Sequence, residues 1–509
     1  MTSFGGWRNE RLGVLVVRLG SIVFSVDTVK SAYRGLNDTA ANLPRKVQVA
    51  RTLLRLVSKF YPIERLAEIG RRSHTGRPIG FGKTKLDHET HRIFDLPQIQ
   101  ISKTRPAAIN VLVPAFSIET ISAGFFGVFA FALFCAKCGY HTRLVLFDNF
   151  YFDIDTFRKN LRKFPAFADM LERVELVYIG ARYMPLLISD RDIAVATVWY
   201  SAYLAEKIRK HCGAKHFIYL VQDYEPAFHP NNSSFVLADN SYRLPAVPWI
   251  STAPLQQFFA ESRMYDGDEW SDWCTFNNAC SPSPDVKRTL ETKRGSLERN
   301  FVFYCRPEVA RNLFHLGALA LIKAFESGIF HNGYNWRFHG IGIGSVEVYL
   351  DAATKLVQLS RMPLEEYQAA IGRFDVGLSL MGSPHPSLVP FDLAASGSLV
   401  VTNSFRTKTS AYFSAISSNI ICKEPTLDAL VQGIGEAVER SADIDGRVQG
   451  AQIRFPTSWP ECWTARHEEF LELNVESAFA RTAIAPLRIA ASKPSRARGE
   501  FRQQPAVGK

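Results

Sequence analysis

RFDVGLSLMGSPHPSLVPFDLAASGSLVVTN, residues 373–403, decides how the rest of the chain is read. The apolar run 375–380 ends in a proline-punctuated turn, a small-residue helix follows over 391–396, Gly397 closes it, and a second apolar run starts at Leu399. Continuous apolar runs of this length, bounded by turn residues, are expected of strands buried on both faces of a parallel sheet. The stretch is one strand–loop–helix–strand crossover. In open parallel sheets ligands sit beyond the carboxyl ends of the strands, and loop amides leading into a helix attract anions. Proline has no N–H, so the amides of Ser387, Leu388 and Val389 are expected to face a phosphate, with His385 in the same loop and Asp392 on the first helical turn.

Working outward, the same alternation recurs on both sides. Upstream lie a strand at 301–305, a helix at 313–325, a strand at 336–341, a helix at 345–355, a short strand at 356–359 and a helix at 363–372. Downstream, 427–440 reads as a further helix and 457–479 as a closing one. An earlier series holds strand-like runs at 108–114, 142–147, 174–179, 193–198 and 216–221, with one more strand and helix over 246–264. Strands alternating with helices predict an α/β protein with doubly wound parallel sheets. The division expected is a basic, partly helical extension and linker at 1–105, one Rossmann-like unit at 106–272, and a linker at 273–293 with the run Ser-Pro-Ser-Pro. A second Rossmann-like unit follows at 294–455, then the closing helix at 456–481 and a basic, disordered tail at 482–509.

Charge narrows the classes of function. The net charge is +11, but residues 1–105 hold nineteen Lys and Arg against eight Asp and Glu, and 482–509 hold six against one. The flanks thus carry +11 and +5, which leaves the middle near −5. A nucleic-acid groove across the body is not expected from this distribution. The eight cysteines have no spacing that frames disulfides or a zinc site, and Arg8, Glu10, Arg11 and Arg18 interrupt any leading hydrophobic region, so a reducing cytoplasm is expected. Residues 12–26 fit a strand pair or a short helix. Residues 44–72 form a basic amphipathic pattern that is a candidate for peripheral contact with the inner face of the cytoplasmic membrane, or for packing on the body with a solvated face. The helix at 121–136 is too short to span a bilayer and reads as a buried crossover.

Three constellations carry candidate chemistry. Arg306 and Arg311 stand just after a strand, where two guanidiniums can clamp a diphosphate; a surface ion pair fits the spacing equally well. The loop 383–392 offers its amides to an anion and Asp392 to a ribose hydroxyl, against the alternative of an acid stabilising a helix start. The run VQDYEP, 221–226, ends a strand with two carboxylates, Asp223 and Glu225.

FIYLVQDYEPAFHPNNSSFVLADNSY (217–242), DIAVATVWYSAYLA (192–205), FVFYCRPEVARNLFHLGALAL (301–321) and the opening stretch resemble the WsaF-type rhamnosyltransferases, a GT-B branch related to glycosyltransferase family 4. The resemblance covers about 108–440 and implies two Rossmann-like units facing a cleft, without metal or cofactor. It implies retaining transfer of a sugar from a nucleotide-sugar donor, typically dTDP-rhamnose, to a glycan or lipid-linked glycan. By that likeness Arg306 and Arg311 fall on the donor diphosphate, Ser387, Leu388 and Val389 on the phosphate-facing loop, Asp392 on the ribose and Lys408 on a further phosphate contact. Asp223 joins the arginines as a candidate catalytic residue, and Gly124, Gln222 and Glu225 fall on the acceptor or sugar side. Two departures stand out: an upstream glutamate of the superfamily would fall on Pro384, and aspartate replaces glutamate at 392. A UDP- or GDP-sugar donor and a non-catalytic nucleotide-sugar-binding scaffold remain open alternatives.

Overall fold

The computed structural model describes strands at 8–9, 14–19 and 22–25, residue 93, and residues 96–479 apart from 115–122, 148–152, 180–184, 265–272, 343–346, 361 and 363. Residues 44–72, with their amphipathic pattern, and the tail 482–509 lie outside that range.

In chain order the strands are β1 (Arg8–Asn9), β2 (Val14–Leu19), β3 (Ile22–Ser25), β4 (Ile99–Ile101), β5 (Ile109–Pro114), β6 (Thr142–Phe147), β7 (Glu175–Tyr178), β8 (Leu186–Ile188) and β9 (Ile193–Ala196). They continue with β10 (Phe217–Val221), β11 (Ala246–Ser251), β12 (Cys274–Phe276), β13 (Glu298–Tyr304), β14 (Asn335–Ile341), β15 (Val357–Gln358), β16 (Val376–Leu378), β17 (Leu399–Asn403) and β18 (Ile420–Lys423). The apolar stretch near the start is an antiparallel strand pair, β2 with β3, joined by β1.

Two parallel sheets dominate. The first runs β12-β11-β10-β9-β5-β6-β7 and the second β15-β14-β13-β16-β17-β18. In the first, the chain winds from β5 outward to β7, then returns to β9 beside β5 and winds the other way. In the second it winds from β13 to β15, then returns to β16 beside β13. Each sheet therefore reverses direction once, between β5 and β9 and between β13 and β16, and at such reversals the crevice above the strands opens. Two doubly wound units of this kind make the GT-B arrangement.

Most strand residues are apolar because helices cover both faces: every residue of β6, β9, β10, β16 and β17 is buried. Helix Ala123–Lys137 is hydrophobic on all sides because it lies under the first sheet, its residues Val128–Phe134 packed against Leu144, Leu146 and Trp249 in one core. Among the described residues no helix is long and apolar enough to cross a membrane.

At the amino edge of each sheet an aspartate just before the returning strand locks its neighbours. Asp192 precedes β9; its carboxylate accepts from Ala108 N (2.9 Å), Asn110 Nδ2 (2.8 Å) and Arg143 Nη1 (2.7 Å). Asp375 precedes β16; it accepts from Asn300 N (2.8 Å), Arg447 Nη1 (2.9 Å) and Lys293 Nζ (3.0 Å). The runs DIAVAT and DVGLSL are thus two copies of one device. Charges buried this deeply are tolerated only with such full pairing.

Four sequence expectations need correction. No helix forms over 345–355 among the described residues; Tyr349 bridges back to Lys355 around a turn in which Asp351 Oδ1 takes the N–H groups of Ala353 and Thr354, a local bond that competes with helix. The stretch 273–293 is not bare linker: β12 adds an edge strand to the first sheet and Val286–Glu291 is helical. The linker before the first unit contributes β4, which pairs with β8. The closing segment is a 3₁₀ turn at Trp459–Cys462 and a helix at Ala465–Ser477 that returns to the first sheet, where Trp249 Nε1 donates to Asn474 Oδ1 at 3.0 Å and Phe134 stacks on Trp463.

Replacing Asp375 by Ala strands Arg447 as a buried charge without its carboxylate, so it is expected to cost about 3–5 kcal/mol of stability. Urea denaturation measures it; a loss below ~1 kcal/mol would show that the pair is not anchoring β16.

Candidate active site at the facing strand ends

The carboxyl ends of the two sheets meet. Thr407 Oγ1, after β17, donates to Pro254 O after β11 at 2.6 Å, and His385 Nε2 lies 3.4 Å from Ser251 Oγ. The centre of the contact is Asp223, two residues past the end of β10. Its Oδ1 accepts from Tyr224 N at 2.9 Å and from the Ser383 hydroxyl of the other unit, and its Oδ2 pairs with Arg311 Nε at 3.4 Å. Arg311 belongs to a 3₁₀ turn, Ala310–Asn312, after β13, and its guanidinium also lies 3.9 Å from the centre of the Phe228 ring, again across the boundary.

The loops of the second unit are stitched to one another at its reversal point. Gly382 N donates to Arg311 O at 2.6 Å, Asn403 holds the backbone of Met381 through both ends of its amide, and Lys408 Nζ donates to Met381 O at 2.6 Å. Arg306 lies on the same loop as Arg311, its Nη1 donating to Tyr304 Oη at 3.3 Å while Nε has no protein partner. The backbone is strained in the same place. Of the six non-glycine residues at positive φ among those described, Thr252, Leu313, Ser387 and Arg406 follow the carboxyl ends of β11, β13, β16 and β17. Backbone strain gathers at functional sites because only an over-determined surrounding can hold it.

Charge is modulated by burial. Lys408 is fully buried, and desolvation pulls its ammonium down to about 7. His385 is pushed down to about 4, first by burial and then by Lys408 and Arg311 against the pull of Asp223, so it stands neutral. Its Nδ1 accepts from Ser387 N at 3.0 Å, which leaves the proton on Nε2.

The expected site residues separate into two groups. Arg311, Asp223 and His385 converge at the boundary, and Lys408 reaches the same loop from below. Arg306 stays on the Arg311 loop against Tyr304, and most of the others are engaged away from the boundary. Ser387 N donates to His385 Nδ1 and is not free for an anion, whereas the amides of Leu388 and Val389 have no hydrogen-bond partner among the described residues. The helix they open, Val389–Ala395, is only seven residues long. Asp392 does not reach outward to a ribose: Oδ1 accepts from Ser281 N at 2.7 Å and Oδ2 from Tyr367 Oη at 3.0 Å, and burial lifts its carboxyl to about 7. It ties the chain between the units to helix Leu364–Ile371. Glu225 turns inward as well, accepting from Trp199 N at the start of helix Trp199–Cys212. Gln222 bridges Gly124 O (3.0 Å) and Asn278 Nδ2 (2.9 Å), beside the start of helix Ala123–Lys137. Sequence reasoning passed over Phe228, Ser251, Ser383 and Thr407. Their shared signal is position at or within several residues after the carboxyl end of a parallel strand, which becomes usable once the strands are assigned. Among the described residues no group of three or more His, Cys, Asp or Glu could hold a metal ion.

The WsaF N-terminal domain profile matches residues 108–252 and the WsaF C-terminal domain profile residues 299–435. The chain belongs to the WsaF family. O-antigen biosynthesis protein RfbC of Myxococcus xanthus is 28% identical over 360 residues, 67% of this WsaF-family chain. The chain spans 25% of that relative's length. Similar solved structures include Anabaena Alr3699/HepE in complex with UDP and glucose, at 12% identity and TM-score 0.47 over 72% of this chain and 99% of that one. WaaG, a glycosyltransferase involved in lipopolysaccharide biosynthesis, is similar at 11% identity and TM-score 0.44 over 73% and 99%.

Burial raises Glu225 from the ordinary carboxyl range to about 8, with Asp223 adding repulsion. At pH below about 4.5 the side chain is protonated folded or unfolded and costs nothing. As pH rises the unfolded side chain ionises while the folded one keeps its proton, so the folded state loses ground until about pH 8. Glu225→Gln is therefore expected to gain stability relative to the parent between pH 4.5 and 8, read from denaturation midpoints. A difference that does not change with pH would show that Glu225 ionises normally.

Proposed function

We propose that this chain is a retaining glycosyltransferase that moves a sugar, with rhamnose from dTDP-rhamnose favoured, onto a growing glycan or lipid-linked glycan of a bacterial surface polysaccharide. The observation that carries the reading is the convergence of Arg311 and the Met381 loop with Lys408 at the reversal point of the second sheet, facing Asp223 of the first, with Arg306 earlier on the Arg311 loop against Tyr304. Membership of the WsaF family and the relative named for O-antigen biosynthesis support the substrate class.

In this reading the cations of the second unit hold the donor diphosphate and stabilise the charge that grows on it as the glycosidic bond breaks. The departing phosphate oxygen helps take the proton of the acceptor hydroxyl, which enters from the same face, so the anomeric configuration is kept. Arg311 and Arg306 offer fixed guanidinium forks to the phosphates. Lys408 acts through Met381, whose carbonyl it holds, and supplies field rather than contact. The units would work in the cytoplasm, with 44–72 as a candidate membrane contact.

One observation favours a second reading, a non-catalytic nucleotide-sugar-binding scaffold: both carboxylate oxygens of Asp392 are engaged by Ser281 and Tyr367. Purified protein incubated with dTDP-, UDP- and GDP-sugars separates the readings through release of nucleoside diphosphate. Release from dTDP-rhamnose, inhibited best by free dTDP, is the expected result; release from a UDP- or GDP-sugar alone changes the donor, and no release above background leaves the scaffold. Arg306→Ala is expected to slow turnover by about 100-fold or more with an unchanged melting temperature. Near-normal turnover would remove Arg306 from the mechanism.

A further inference from the structure

The Arg311 guanidinium has two claimants. In the proposed reaction it serves the donor diphosphate, yet in the fold it faces a carboxylate delivered from the other unit. That carboxylate is also held from both sides, by Tyr224 N of its own loop and by the Ser383 hydroxyl of the loop next to Arg311. Its field reaches Lys408 and His385, the other two titratable groups of the second unit packed around it. The Asp223 carboxyl group therefore sits among the groups that would receive an anionic ligand.

We propose that Asp223 is an internal competitor of the donor: its carboxylate holds the Arg311 guanidinium that a nucleoside diphosphate needs, and the diphosphate binds by displacing it. This rests on the glycosyltransferase reading of the site. Three features make the exchange feasible. The pair is loose, since Arg311 Nε approaches Oδ2 at 3.4 Å without a well-aligned hydrogen bond. Arg311 is about a quarter exposed, its side chain 26% accessible, so an incoming group can reach it. A diphosphate brings more than one negative charge and can take a guanidinium in bidentate fashion, which one carboxylate oxygen at this distance does not. Once displaced, Asp223 keeps Tyr224 N and Ser383 as partners and is not stranded.

The consequence for specificity is that a ligand must carry enough charge to win. A nucleoside monophosphate or a neutral sugar pays the same displacement with less attraction, so the latch discriminates in favour of the diphosphate class. The contact also joins donor binding to the boundary between the units, because the group displaced belongs to the first unit and the group gained belongs to the second.

The test is titration calorimetry of the full chain with free dTDP, UDP and GDP, using the parent, Asp223→Asn, Arg311→Ala and the double variant, with melting curves for each. Asn keeps the shape and the acceptor for Tyr224 N and Ser383 but removes the charge; Asp223→Ser serves if Asn does not fold. The expected result is nucleoside diphosphate binding about tenfold tighter in Asp223→Asn, a gain that shrinks at high salt and is absent in the Arg311→Ala background. Unchanged or weaker binding in Asp223→Asn overturns the inference, as does a gain of equal size without Arg311. If the parent and every variant bind none of the three nucleotides, the glycosyltransferase reading itself fails. Binding by the parent with no effect of Asp223→Asn removes only the competition.

Discussion

A carboxylate placed where two sheets meet has to be satisfied from both of them, and Asp223 is satisfied in that way: by Tyr224 N within its own loop, by Ser383 and Arg311 from the opposite unit. The cost of taking a charge out of water makes this arrangement demanding, because each donor has to arrive in place or the group is better off solvated. The loops that supply the donors are for that reason fixed to one another by Gly382, Asn403 and Lys408 before they meet Asp223.

The two ends of each sheet divide the labour. At the amino edge Asp192 with Arg143, and Asp375 with Arg447 and Lys293, are buried ion pairs that hold the returning strand against the first strand of its unit. The carboxyl edge is left to irregular backbone, with positive φ at Thr252, Leu313, Ser387 and Arg406 and partly exposed arginines. Rigid anchoring below is what lets strained, polar loops persist above, since the strain is paid from the packed core.

Membership of the WsaF family and the two-unit parallel architecture fit one another, and the site residues decide what the loops present. An aspartate at 392 that ties Ser281 to Tyr367 turns what resembled a ribose contact into a brace between the inter-unit chain and helix Leu364–Ile371. A histidine at 385 that is neutral, with Nδ1 engaged by Ser387, shapes the turn without bringing a charge to it.

The sequence by itself determined most strands of the two sheets, a buried crossover helix near 121–136 and the double winding. These follow from apolar periodicity and from proline and glycine placement, which act over a few residues. It also determined the family, through runs such as VQDYEP and FYCRPEVARN. Only the tertiary structure decided which side chains look into the boundary. Asp392, Glu225 and Lys408 carry the right charge at the right place in the chain, but their partners stand at 281 and 367, at 199, and at 381, and a side chain's direction is fixed by the partner that removes its desolvation cost. Ser383 and Phe228 matter for the opposite reason: nothing in their type marks them, and they acquire a role because the opposite unit brings Asp223 and Arg311 against them.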